Sequence, residues 1–150
     1  MVGAVGRGPD KTPGLVFTYR GVAHTTTRLF GAAAGQPPFL EVRFAFYAAN
    51  TTDQAITLLG ARLDNPVVGG EVRDEPVKGT VRTGPIDPKD QISGVTKYAS
   101  SAVVQPGEDA HRIICIFVAQ APENRDPRET IRGTVVITDQ LEREHIAGAV

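Results

Sequence analysis

The chain has 150 residues, a formal net charge of −1, and a composition that is 41% hydrophobic but only 6% aromatic. A chain of this length fits one domain, which buries roughly 68 to 70% of the surface that its unfolded chain exposes, so it needs neither a disulfide nor a metal to fold. The near-neutral charge and the absence of a lysine or arginine cluster in the sequence argue against the basic footprint of a nucleic-acid-binding protein.

The amino-terminal residues carry no targeting pattern. Residues 1–14 lack the continuous apolar core of a signal peptide, and no stretch approaches the roughly 18 apolar residues of a membrane-spanning helix. We therefore expect no membrane span and favour a cytoplasmic or virion location. Glycine and proline without an apolar period are typical of a flexible tail or an arm, which predicts a tail over residues 1–14 and one β domain over residues 15–150.

Residues 15–38 predict two outer strands and a loop. Residues 15–22 alternate weakly between apolar and polar side chains, and residues 24–30 contain three consecutive threonines, which favour an extended chain. The glycine and proline residues in 31–38 then predict a loop.

The strongest pattern lies between Phe39 and Leu63. Apolar and polar residues alternate through the first half, so successive side chains project to opposite sides of a strand. The polar residues 50–54 predict a turn into a second long strand, where a change of apolar phase beside Gly60 predicts a β-bulge and a bend. The predicted core side of the first strand consists of Leu40, Val42, Phe44, Phe46 and Ala48.

Residues 64–99 predict weaker strands and one long loop. The pair Gly69-Gly70 between two short extended segments predicts a tight hairpin, and residues 77–83 predict a polar edge strand whose basic side chains discourage strand addition. Residues 84–99 lack strand character. A long loop in a compact domain is often functional, and a plain surface crossover is the alternative interpretation.

The sequence Gln-Pro-Gly-Glu at residues 105–108 predicts a type II turn, because proline sets φ at the first central position and glycine permits positive φ at the second. The strand that follows, residues 111–119, is apolar on both faces, which is typical of a strand covered on both sides. A two-layer sandwich covers only one face, so we expect the amino-terminal segment, the 84–99 loop or another protein to cover the second.

The remaining elements complete an antiparallel domain. Cys115 is the only cysteine, so it forms no internal disulfide and we expect it to pack as a small apolar side chain. Residues 130–138 predict a further strand, residues 139–143 a turn, and residues 144–150 a terminal strand.

An aromatic strand runs into Asn50-Thr51-Thr52-Asp53 and Ile56-Thr57-Leu58, and Val103-Val104-Gln105-Pro106-Gly107-Glu108 follows later. This pattern, over roughly residues 39–138, resembles the immunoglobulin-like sandwiches of many bacterial and viral accessory proteins. The cysteine pair and core tryptophan of antibody domains are absent. The resemblance implies an all-β, immunoglobulin-like antiparallel β-sandwich of about 7 to 9 strands, a scaffold usually used for adhesion, assembly or domain spacing.

The sequence offers little for chemistry. The histidines His24, His111 and His145 lack the spacing of paired metal ligands, and we expect them at solvent-facing strand ends. No Gly-x-Ser-x-Gly elbow is present, and Asn50-Thr51-Thr52, which fits a glycosylation sequon, is interpreted as a turn. Acids that fall in predicted loops could act as calcium ligands, although no Asp-x-Asp-x-Asp run supports such a site: Asp53, Asp87, Asp90 and Asp139.

These observations favour a non-enzymatic structural or protein-interaction module, with an assembly subunit as one form of it, without catalytic residue, metal or cofactor. We expect a protein partner or self-association, and no nucleic acid. The alternative is a small-ligand or carbohydrate-binding β-sandwich that uses the 84–99 loop, against which the shortage of aromatic residues argues. A metal-dependent hydrolase is the third alternative. The candidate interface residues are Tyr47, Tyr98, Ile114, Ile116 and Val118.

Overall fold

The computed structural model describes residues 14–28, 39–84, 102–122 and 131–150. All regular structure in these ranges is extended, as the sequence predicts, and none of these residues belongs to a helix that could span a membrane. The strands are β1 (Leu15–Arg28), β2 (Phe39–Asn50), β3 (Ile56–Val68), β4 (Glu71–Val72), β5 (Val77–Thr83), β6 (Ala102–Val104), β7 (His111–Gln120), β8 (Ile131–Asp139) and β9 (Glu144–Ala149).

The strands form one antiparallel sheet in the order β1-β2-β7-β5-β3-β8-β9, with β4 and β6 also paired to β3. This sheet curls into a nearly barrel-shaped arrangement, so that its end strands β1 and β9 lie against each other. The rings of Phe17 on β1 and His145 on β9 meet edge to face, with their centroids 6.2 Å apart. The core therefore lies inside the curled sheet.

Strand β2 lines the core as its alternation predicts. The side chains predicted to face inward all belong to one buried hydrophobic cluster, which also contains Ile113, Cys115 and Phe117 of β7. Phe44 and Phe117 pack with ring centroids 6.0 Å apart. Cys115 is fully buried, and the expectation that it packs as an apolar residue is confirmed.

Strand β5 joins the two halves of the sheet, and the prediction of an edge strand at residues 77–83 is wrong. Its first part pairs with β3 and its second part with β7, and Gly79 takes part in both registers. A Cβ atom built on Gly79 would lie 2.5 Å from the Ile116 carbonyl oxygen. The absence of a side chain therefore lets β5 lie against β7 where the strand changes partners.

The predicted turns and the bulge are confirmed. The register of β3 against β8 shifts between Leu58 and Gly60, and Leu59 is 61% exposed. Gly69 and Gly70 both have positive φ in the β3–β4 hairpin. Gly107 has φ 78° in the turn of residues 105–108, which the Glu108 N–H closes by donating to the Gln105 carbonyl at 3.2 Å.

One expectation about the strands needs correction, and others concern residues outside the described ranges. Residues 15–28 form the single strand β1, interrupted only by register shifts between Tyr19 and Gly21 and between Val22 and His24, instead of two strands. The tail of residues 1–13, the 84–99 loop beyond Gly84, and Tyr98 within it lie outside the described residues.

Candidate functional site

The strand register brings four of the predicted interface residues onto one surface. Opposed residues of an antiparallel pair project to the same side, and the core-facing phase of β2 and β7 is occupied by the buried cluster. The other phase forms what we call the outer face, the surface of β1, β2, β7 and β5 opposite the core. Its cross-strand pairs include Tyr47 with Arg112, Ala45 with Ile114, Arg43 with Ile116, and Glu41 with Val118.

The outer face is only partly covered. Ile114 is fully buried, between Ala45 on β2 and Arg82 on β5. Ile116 is half-buried, whereas Val118 is 46% exposed. This face of β7 is therefore covered at Ile114 and open at Val118, and cover by the amino-terminal segment, the 84–99 loop or another protein stays a prediction.

Basic side chains dominate the described charges of the outer face. Among the cross-strand pairs of β2 and β7 given above for this face, the acidic side chain is Glu41. It forms an ion pair with Arg43 at 2.9 Å. The opposite outer surface, formed by β3, β8 and β9, is different, because Arg62 bonds to both Asp64 and Glu144 there. The arginines of the outer face are Arg20, Arg43, Arg82 and Arg112.

A cleft of about 250 Å³ opens on this surface, and we call it the arginine cleft. The guanidinium carbon of Arg20 lies 5.3 Å from the centroid of the Tyr47 ring, within the range of a cation–π contact. The lining residues are Arg20, Gly21, Val22, Ala45, Tyr47 and Arg112.

A bulge in β1 shapes the cleft. The register shifts between Tyr19 and Gly21, and Gly21 has φ 103°, a conformation that favours glycine. Bulges re-aim the side chains beside them. At this bulge, the side chain of Arg20 lies over Tyr47 of the neighbouring strand.

His111 forms a hydrogen-bonded chain at one end of the sheet. Its Nδ1 atom lies 2.9 Å from Oε2 of Glu108, and its Nε2 atom lies 3.1 Å from Oγ1 of Thr83. The order of hydroxyl, imidazole and carboxylate is that of a nucleophilic triad. Glu108 also accepts the Gln105 N–H at 2.7 Å, and this bond, followed by the contact with His111, holds the pKa of Glu108 below its ordinary value despite partial burial.

The hydrogen bonds that run from Thr83 through His111 to Glu108 connect the 105–108 turn to the end of β5. The contact of Thr83 with His111 joins β5 to β7, and that of His111 with Glu108 joins β7 to the turn, while the Gln105 bond lies within the turn. We therefore interpret this hydrogen-bonded chain as structural.

His145 is buried, so the expectation that the histidines lie at solvent-facing strand ends is wrong for it. Its Nε2 atom lies 2.8 Å from Oδ2 of the buried Asp139, and the other carboxylate oxygen accepts the N–H groups of Leu141 and Arg143. Burial raises the pKa of Asp139, but the bonds from His145, Arg143 and Leu141 outweigh it and hold that pKa below its ordinary value.

Asn50 ties the link between β2 and β3 to the rest of the domain. It is 1% exposed, and its side-chain amide donates to the carbonyl oxygens of Gln54 at 2.8 Å and Val104 at 3.0 Å. Its side-chain oxygen accepts the N–H and the hydroxyl of Thr52. The interpretation of the sequon as a turn is confirmed, because the amide nitrogen is already bonded inside the fold.

The acids considered as calcium ligands do not come together in the described part of the chain. Asp139 is buried among its own donors and Asp53 is exposed on the link after β2, while Asp87 and Asp90 lie outside the described ranges. Within those ranges, no group of three or more histidine, cysteine or acidic side chains could hold a metal ion.

Fold and site together define a nearly barrel-shaped all-β protein with a basic, partly apolar outer face. No protein-family model matches the chain, and none of the curated proteins compared with it is significantly similar. Sequence reasoning missed Arg20 and Arg112 as neighbours of Tyr47. The alternation of residues 43–47 hints at the outward phase, but only the pairing of β2 with both β1 and β7 brings these arginines together.

Proposed function

We propose that the chain is a non-enzymatic protein-interaction module whose contact surface is the outer face. The observation that carries the proposal is the register that sets Tyr47, Ile114, Ile116 and Val118 on one face of β2 and β7, with Tyr47 and Val118 exposed and Ile116 half-buried. Tyrosine and arginine are enriched among the residues that dominate binding energy at interfaces. An apolar strip with arginines around it supplies both.

The partner is a different protein with an acidic surface. Complementary charge steers association and suppresses wrong partners. A two-fold dimer built on this surface would set the same patch against itself, so that the basic part of the face around Arg20 and Arg112 would meet a basic surface. That repulsion disfavours self-association through the outer face, while an assembly with unlike subunits is compatible with it.

A photo-crosslinking amino acid at Val118 tests the proposal, with the same substitution at Ile146 as the matched control. The two side chains are 46% and 43% exposed, and Ile146 lies on β9, which is not one of the four strands of the outer face. We expect Val118 to crosslink one defined acidic protein, which then binds the purified chain with an affinity that falls as salt rises. Equal crosslinking from both positions, or a purified partner that ignores Val118→Asp, would refute the proposal.

Light scattering on a sizing column, over a range of concentrations, tests whether a second copy of the chain binds the outer face. We expect a monomer at all concentrations. A dimer that Val118→Asp dissociates would replace the acidic partner with a second copy of the chain.

We propose an immunoglobulin-like sandwich as the finer description of the fold. The support is the role of β5, which pairs with β3 at its start and with β7 at its end, as a strand does where it passes between two layers. An experimental structure in which the strands on either side of β5 pack face to face would establish the two layers, and a sheet closed around its core would exclude them.

A carbohydrate-binding module is the second candidate, and the cation over Tyr47 disfavours it at this site. Sugar rings stack on open aromatic faces, whereas Arg20 occupies one face of the Tyr47 ring. A metal-dependent hydrolase stands third. Elemental analysis of the purified protein tests it, and a stoichiometric metal would displace the interaction proposal.

A further inference from the structure

We infer that the arginine cleft binds a small organic anion, a phosphate or carboxylate group carried on an apolar body. This inference goes beyond the protein-interaction proposal and does not depend on it. The cleft shares Tyr47 and Arg112 with the proposed contact surface, but Val118 and Ile116 do not line it, so a Val118 variant tests the protein contact without changing the cleft.

Two arginines line the cleft, one from each of the strands that flank β2. Arg20 lies on β1 and Arg112 on β7, and β2 runs between these strands. Strands lie about 4.8 Å apart in a sheet, so the two backbones are roughly 10 Å apart. Two long side chains across that distance can reach one anion between them, above Ala45 and Tyr47.

Among the residues that the structure describes, no acidic side chain lines the cleft. Neither Arg20 nor Arg112 forms an ion pair within the described residues, whereas Arg62 on the opposite surface is held by two carboxylates. Like charges placed close together without a counter-ion repel each other. A bound anion would relieve that repulsion, which gives the site its selectivity for negative charge.

Tyr47 restricts one of the cations. The cation–π contact with the ring, at 5.3 Å from its centroid, restricts where the Arg20 guanidinium lies, and a guanidinium can donate two parallel hydrogen bonds to a carboxylate or phosphate. Pre-organisation of this kind reduces the entropy lost on binding. Gly21 has a positive φ at the bulge next to Arg20, so the backbone conformation helps to place the Arg20 side chain over Tyr47.

The size and lining of the cleft define the rest of the ligand. Its volume of about 250 Å³ is below the 300 to 1,000 Å³ or so of sites for drug-sized molecules. Val22, Ala45 and the Tyr47 ring give the cleft apolar surface beside its two arginines. A single ring or short aliphatic chain bearing one anionic group fits this volume and lining.

Chemical-shift titration with phenyl phosphate, inorganic phosphate and the neutral benzyl alcohol tests the inference. We expect saturable binding of phenyl phosphate, with the largest shifts at the amides of Gly21, Ala45 and Tyr47. Inorganic phosphate should bind more weakly and benzyl alcohol should not saturate. Shifts spread over the whole surface, or equal binding of both phosphates, would overturn the site or its apolar component respectively.

The substitutions Arg20→Gln and Arg112→Gln test the cations, with Arg62→Gln as the matched control. Each cleft variant should weaken phenyl phosphate binding about tenfold, because each removes a charged hydrogen-bond donor. The control should change it less than about twofold, because Arg62 lies on the opposite surface. Cleft variants that bind like the wild type would refute the inference, and the wild-type titration decides it alone if a variant does not fold.

Discussion

The Nε2 atom of His145 lies 2.8 Å from Oδ2 of Asp139, and both side chains are buried in the fold. The same carboxylate bonds to the Arg143 guanidinium at 2.9 Å and to two backbone N–H groups of the turn between β8 and β9. The Asp139 carboxylate therefore stabilises the hairpin formed by β8 and β9. Buried polar side chains that make several hydrogen bonds, as Asp139 does, contribute to the stability of the fold.

Asp139→Asn should lower the free energy of unfolding by about 3 kcal/mol, because an amide turns N–H donors towards groups that are themselves donors and leaves buried partners unsatisfied. Urea unfolding followed by circular dichroism measures it. Asp53→Asn on the exposed link is the control and should change stability by less than about 0.5 kcal/mol. Similar values for the two variants would mean that the carboxylate does not hold the hairpin.

Acid should weaken the fold through the same group. In the folded protein the pKa of Asp139 lies below its ordinary value of 3.8. The Asp139 carboxyl group therefore binds its proton more tightly in the unfolded state. The stability that this group contributes is complete at pH above about 3.8 and is lost as the pH falls through the folded pKa. Urea unfolding between pH 7 and pH 2 should show this fall, with a shallower slope in Asp139→Asn. Parallel slopes would assign the acid sensitivity to other carboxylates, among them Glu108 and Glu144, whose pKa values are also lowered.

Asn50→Ala should destabilise the fold by about 3 kcal/mol, because it leaves the Val104 carbonyl and the Thr52 N–H without their buried partner. Thr51→Ala is the control, since its side chain is exposed on the same link. Thermal unfolding should show a clear drop in Tm for the first variant and little change for the second. Equal drops would indicate that the link itself, and not the asparagine side chain, determines stability.

Gly79→Ala should cost roughly 2 to 3 kcal/mol, because its new methyl group would meet the Ile116 carbonyl and the Phe117 ring at 2.5 Å. Gly60→Ala offers a matched strand glycine whose Cβ would meet nothing within 4 Å. It should be neutral or slightly stabilising. Chemical denaturation of both variants compares them directly, and a tolerated alanine at Gly79 would mean that β5 and β7 separate more easily than their register implies.

The thiol of Cys115 should be inert in the folded protein. Burial raises its pKa to about 12, so the reactive thiolate is scarce at neutral pH and the sulfur is inaccessible. Ellman's reagent should react at once in guanidinium chloride and, in buffer, only at the rate of structural opening. Rapid labelling of the native protein would contradict the burial of β7.

The sequence was sufficient where local chemistry determines the structure. The alternation in β2, the glycine pair at residues 69–70 and the proline–glycine turn at 106–107 each depend on a few adjacent residues, and each prediction is confirmed. The position of β5 depends on which strands flank it, because an edge strand and an interior polar strand have similar local patterns. Its interior position was therefore not predictable from residues 77–83 alone.

The candidate site divides in the same way. Tyr47 could be assigned to an outward phase from alternation within β2, whereas residues 111–119 are apolar on both faces and do not show by themselves which face of β7 carries Ile116 and Val118 outward. The neighbourhood of Tyr47 with Arg20 and Arg112 requires two inter-strand registers and the bulge before Gly21. Non-local pairing of this kind leaves no pattern in a single sequence.

The contact of β1 with β9 constrains how the chain can fold during synthesis. Phe17 is made early but acquires its ring contact with His145 only when β9 has left the ribosome. Until then the inner surface of β1 and β2 lacks one wall, and its aromatic side chains are open to solvent or to a chaperone. Because such non-local closure is slow, premature release of the nascent chain before residue 149 would expose the surface most prone to aggregation.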